Sequence, residues 1–180
     1  MLSAMKPADI CQFVLGSSKL AQILDELTNP QIKTVLKEGN VKVKMPSGFV
    51  PQQRRRQLWS ARILESVVQQ NQTAAAELLQ QWLLNHRRPL LVGFLDQLGV
   101  SHRNGETDQS FLLSGAVVKI RDAAERLMVD FDRGEAAAYL NYIAYQQRAT
   151  VFDGWEPLAT AGTPPPGATL PTAETPPAAT

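Results

Sequence analysis

Imidazole and thiolate chemistry have few residues to work with in this chain: His86, His102 and Cys11 are the only histidines and cysteine among 180 residues. No two of them have the spacing that lets side chains chelate one ion from a single helix or turn, so no metal site is expected. Cys11 sits in a short apolar stretch, where a thiol is buried and inert. Ser101 and His102 are adjacent, but no G-x-S-x-G elbow surrounds the serine and no acid is placed to orient the imidazole. The glycines are scattered at helix ends and turns and form no phosphate-cradling loop. Asp130-Phe131-Asp132-Arg133-Gly134-Glu135 has the outline of a calcium loop. A loop beginning at Asp130 would need Gly and Glu where this chain has Glu135 and Asn141. It reads instead as an inter-helix turn capped by Asp132, with Glu135 favouring the helix start. Glu77, Asp96, Asp122 and Glu125 are acids of the kind that solvate helix surfaces. No catalytic residue and no cofactor is assigned, and the chain is read as not being an enzyme.

Charge is the one positive signal. Between positions 33 and 62, Lys33, Lys37, Lys42, Lys44, Arg54, Arg55, Arg56 and Arg62 face a single acid, Glu38, a net of +7. The remaining residues hold ten basic against sixteen acidic side chains, or −6, so a total of +1 hides a basic segment on an acidic body. Such a field attracts a polyanion or an acidic protein face. Arg54, Arg55 and Arg56 are consecutive near a helix start, so they cannot all point at the core. Three cations there also oppose the helix dipole unless something neutralises them. Lys42 and Lys44 project to one side of an extended stretch. Together with Arg62 and the nearby aromatics Phe49 and Trp59, these residues make the candidate contact surface for a polyanion or a protein partner. The plainer alternative is a solvated basic face with Trp59 in the core, and no nucleic-acid motif accompanies the charge.

The elements that must position these residues are helical. Pro7 suits a first helical position, and Ile10, Phe13 and Val14 form an apolar face ending at Gly16. Ser17 or Ser18 can cap the next segment, with Leu20, Ile23, Leu24 and Leu27 at helical spacing. Asn29-Pro30 closes it and opens another, carrying Ile32, Val35 and Leu36 to Gly39. Val41 to Met45 alternates apolar and polar, but five residues without a partner strand read as an extended loop through Pro46, Gly48 and Pro51. A long helix follows over about 52–70, with Trp59, Ile63 and Val67 on one face. Thr73 is a natural cap for a helix with Leu78, Leu79, Trp82 and Leu83 toward the core, closed by His86-Arg87-Arg88 in keeping with the dipole. Pro89 restarts the chain, and Leu91, Phe94, Leu95 and Leu98 mark what should be the most buried helix. After a polar stretch with an Asn104-Gly105 turn, two helices run over about 116–129 and 134–147.

The stretch 86–100 (HRRPLLVGFLDQLGV), followed by His102 and Gly105-Glu106, resembles a segment of uncharacterised bacterial all-α proteins. That resemblance covers the middle third of the chain. It implies a helical fold and no activity.

From Pro157 the chain turns rich in Pro, Thr and Ala, so 157–180 is expected to be a disordered tail with polyproline-II bias, a tether more than a ligand. No window approaches the ~20 apolar residues that span a bilayer. The start is a poor signal peptide, and one cysteine excludes an internal disulfide, which together fit a cytoplasmic protein. The expectation is therefore an all-α domain of six to eight helices over 1–156. Its expected role is a non-catalytic intracellular interaction or adaptor module that binds another protein. The alternative is nucleic-acid or polyanion binding through the basic segment 33–62.

Overall fold

In the computed structural model, which describes residues 5–107 and 115–159, the chain is all-α, with seven helices of ten residues or more and no strand among the described residues. Pro7 opens a short α1 (Pro7–Asp9), supplying the fixed φ and missing N–H that a first turn tolerates. The chain then widens into a π-helix, Ile10–Leu15, before α2 (Gly16–Glu26). Gly16, at φ 78° and ψ 167°, breaks the helical backbone between the two, and neither Ser17 nor Ser18 caps α2 with its side chain.

Thr28, one residue before Asn29-Pro30, caps α3 (Asn29–Glu38) in a capping box: its hydroxyl accepts from the Gln31 N–H and the Gln31 side chain accepts from the Thr28 N–H. The long helix is α4 (Gln52–Val68). Asn71, not Thr73, caps α5 (Gln72–His86), accepting from the Ala74 N–H at 3.0 Å. Arg87 stands between α5 and α6 (Arg88–Leu98) as the last cap of one and the first of the other. Asn104 and Gly105 take positive φ of 52° and 87°, the requirement of a tight hairpin turn, and close the Arg103–Glu106 bridge. Helices α7 (Val117–Asp130) and α8 (Arg133–Gln147) follow, with the Asp132 carboxylate accepting from the Glu135 N–H at 2.9 Å, as the inter-helix turn requires. Side-chain caps start α3, α5 and α8, while α4, α6 and α7 have none.

The core gathers Leu and Ile side chains around Trp82 and Phe94, and Phe94 meets Tyr139 edge-on with ring centroids 5.6 Å apart. The most buried helix is α8, not α6. Ten consecutive residues, Glu135 to Ala144, are buried in α8, against five in α6. Its alanines let the π-helix, α5 and α7 pack around it, so no face is left for solvent over that half. A short α9 (Glu156–Ala159) carries the packed body past the expected boundary at 157: Leu158 is buried, and Phe152 stacks on Trp155 at 5.4 Å. The rest of the expected tail lies outside the described residues, as do positions 108–114. Among the described residues no helix is long and apolar enough to cross a membrane.

Candidate functional site

The basic segment is built on α4 and on the 40–51 stretch that leads into it. Asn40 turns the chain with a φ of 52° just after α3, and burial then alternates: Val41 and Val43 are half-buried, Lys42 and Lys44 exposed. This is the period of an extended chain lying on a helical surface. Arg62 ties it down, with Nε donating to the Lys42 carbonyl at 3.3 Å while its guanidinium pairs with Glu65. Lys44 and Arg62 line a shallow cavity of about 280 Å³ with Val43 and Leu58. Lys42 shares the neighbouring one with Arg62, Glu65, Ser66 and Gln69. Lys42, Lys44 and Arg62 thus converge on one flank of α4.

The triple arginine does not act as a unit. Successive residues of a helix project about 100° apart, and the three separate accordingly. Arg54 is exposed, with no hydrogen bond or ion pair among the described residues. Arg55 donates from Nε to the Val50 carbonyl at 2.9 Å and holds the end of the extended stretch. Arg56 turns inward to the carboxyl end of α2. Its Nη2 donates to the carbonyls of Leu24 (2.9 Å), Asp25 (3.0 Å) and Leu27 (2.6 Å), and its Nη1 to Asn29 Oδ1 (2.8 Å). Helix ends leave such carbonyls unpaired, and a cation there also meets the negative end of the dipole. The sequence carried a signal for this: Arg56 precedes Ile63 by two helical turns and therefore falls on the buried stripe of α4. Trp59 shares that side, half-buried, with Lys33 Nζ lying 5.5 Å from its ring centroid. Beside the extended stretch, Phe49 is 90% and Met45 40% exposed.

The separation has a measurable consequence. Arg56→Ala strips the cap from α2 and is expected to destabilise the fold by about 1–2 kcal/mol in urea unfolding. Arg54→Ala, two residues away, should stay within about 0.5 kcal/mol of the parent. Equal effects would mean that Arg56 is solvated like its neighbour.

Elsewhere, His102, Cys11, Tyr139 and Tyr142 are held by packing and hydrogen bonds. The His102 ring uses both nitrogens: Nδ1 accepts from the Gly105 N–H at 3.1 Å, which leaves Nε2 as the donor to Asp96 at 3.0 Å. No lone pair is left to take a proton from Ser101, so the ring fastens the loop to α6. Arg88 does the same from the other side, with an ion pair to Glu106 and a hydrogen bond to the Asn104 carbonyl. Burial pushes the Cys11 thiol up to about 12, so it stays protonated at neutral pH. A cavity of about 400 Å³ opens between α5, α6 and α8, lined by Leu83, Leu91, Leu95, Tyr139, Tyr142 and Ile143. Burial raises both tyrosine hydroxyls above their ordinary range, and Gln146 donates to the Tyr142 oxygen at 2.7 Å. Neither hydroxyl is an activated base.

Sequence reasoning missed one cluster. Glu135, buried in the first turn of α8, accepts from Lys19 Nζ (2.6 Å) and, in a two-pronged pair, from Arg87 Nε (2.6 Å) and Nη2 (2.9 Å). Arg87 Nη2 also reaches Glu26 at 3.1 Å, and the guanidinium lies 5.2 Å from the Trp82 ring centroid. Arg87 was expected only to complement the dipole of α5. Its partners lie 61 and 48 positions away in sequence, so local spacing carries no trace of them.

Neither known-family models, nor curated proteins, nor solved structures give a match to this chain. The functional reading rests on the geometry.

Proposed function

We propose that the protein is a non-catalytic, intracellular interaction module that binds another protein through the flank of α4 bearing Lys42, Lys44 and Arg62, with Arg54 and Arg55 at its end. The observation that carries this reading is a concentration of unneutralised charge beside exposed apolar surface. Lys42, Lys44 and Arg54 have no ion-pair partner among the described residues, and Phe49 and Met45 stand exposed next to them. A cationic rim around an apolar anchor is the composition of a contact surface for an acidic protein face. Nucleic acid is the second reading, since the same cations attract phosphate. Two features count against it: Lys33 covers one side of Trp59, and Arg56 is committed to α2, which removes an aromatic platform and a cation from the count.

The test uses the full chain as bait beside a Lys42→Glu/Lys44→Glu variant. Both side chains are exposed, so thermal unfolding of the variant should match the parent. A protein held by the parent at low salt and lost in the variant supports the reading. A partner held equally by both overturns it, as does salt-sensitive retention of oligonucleotide alone.

A further inference from the structure

Resting on that reading, we infer that the partner presents an acidic segment in extended conformation, which pairs main chain to main chain with residues 42–46, ahead of the bend at Ser47 and Gly48. Three observations meet on this stretch. Over 41–44 its burial alternates as in a strand, with Val41 and Val43 half-buried against α4 and Lys42 and Lys44 turned to solvent, and from Met45 to Phe49 every residue is exposed. Among the described residues no backbone–backbone hydrogen bond involves positions 42–49, although Val41 donates to Leu36 just before them. The third is the direction of the Lys42 carbonyl, which is taken by Arg62. In an extended chain successive residues offer their main-chain groups to opposite edges, so those of Val43 and Met45 lie on the edge turned away from Arg62. Pro46, which lacks an N–H, falls on the Arg62 side and leaves the free edge intact.

An unpaired edge accepts an incoming strand, and its side chains decide whose. Lysines on an edge repel a second copy of the same edge, so self-pairing is disfavoured here. They favour a strand with Asp or Glu at alternate positions opposite Lys42 and Lys44. Met45 and Phe49 supply apolar contact for the residues between.

The experiment titrates the full chain at low salt with a short peptide of alternating glutamate and valine. A version N-methylated at every second residue, which cannot donate from one edge, and a single-stranded oligonucleotide are titrated in parallel. Expected are binding of the unmodified peptide, slowed amide exchange at Val43 and Met45, and a loss of roughly tenfold or more in affinity on N-methylation, the worth of two hydrogen bonds. Equal binding of both peptides overturns strand pairing and leaves a charge-driven contact, with the proposed function standing. Binding of the oligonucleotide but of neither peptide overturns the inference, and it counts against the protein-binding reading as well. If neither peptide binds while lysine-dependent capture of a protein persists, the inference alone fails.

Discussion

Glu135→Ala is expected to lower the stability of this fold by about 3 kcal/mol, because it strands a guanidinium and an ammonium group that have no other full complement of partners. Among the described residues Glu135 alone forms ion pairs with both Lys19 and Arg87. Through them it links α2, the α5–α6 junction and the start of α8. Deleting one partner of a fully buried pair costs about 3–5 kcal/mol. The Glu135 side chain is 11% exposed and that of Arg87 23%, so water reaches the orphaned guanidinium and the lower end of the range applies. Urea unfolding should show the midpoint falling with an unchanged slope. A double-mutant cycle with Arg87→Leu checks the cause, since removing both partners should cost less than the two single changes together. Additive single effects would mean that the pair is not coupled.

The same carboxylate sets a pH dependence whose sign follows from its surroundings. Burial pushes the Glu135 carboxyl up, but hydrogen bonds from Arg87 and Lys19 outweigh it and hold the group below the usual carboxylate range. A folded-state value below the unfolded one stabilises the fold above the unfolded value, near 4.3 for glutamate. That stability is lost as pH falls through the folded value. The gap in stability between the parent and Glu135→Gln should therefore be constant near neutrality and narrow below about pH 4. A gap that widens on acidification would contradict the assignment.

What was legible in the sequence is what repeats locally. Apolar spacing located α2 through α8, and the Asn104-Gly105 turn and the Asp132 cap were read from residue type alone. The misplaced cap of α5, Asn71 where Thr73 was expected, differs by two positions because Asn and Thr compete for the same role. The burial ranking failed for a different reason. In α6 the large side chains attract attention, whereas α8 is buried because its alanines let neighbours approach from every side. The candidate surface was half legible. The period-two pattern at 41–45 separated Lys42 and Lys44 from Val41 and Val43 but wrongly grouped Met45, which is 40% exposed, with the valines, while the run of three arginines read as one patch. Only the phase of α4 against the core, set by Ile63 and Val67, tells Arg56 from Arg54.

Gly39 poses the sharpest test of close packing, and the direction of its effect decides between two accounts. By sequence it is a helix stop, a place where glycine is expected for its left-handed conformation. Its φ is −74°, an ordinary value, and it is Asn40 that takes the positive one. Glycine is required for space instead. A Cβ would lie 2.6 Å from the Val35 carbonyl oxygen and 2.7 and 2.8 Å from Ala74 Cα and Cβ, where α3 crosses the start of α5. Backbone atoms on both sides cannot swing away as a flexible side chain would. The Gly39 carbonyl also accepts from Asn71 Nδ2 at 3.0 Å, and Asn71 caps α5 from the same position. Gly39→Ala should therefore cost about 3 kcal/mol, the upper end for overpacking, since the two helices must part to admit a methyl group. Without the clash, alanine at this φ would stabilise by about 0.4–1 kcal/mol through the unfolded chain. Gly48, with a φ of 96° and open space around it, should lose only about 1 kcal/mol on the same substitution. If Gly39→Ala proves stabilising, the approach of α3 to α5 is looser than 2.7 Å and the root of the 40–51 stretch is not fixed by packing. If it is the costlier of the two, the base of the lysine-bearing segment is held by the tightest helix crossing its glycines mark. Lys42 and Lys44 are then presented from a rigid support.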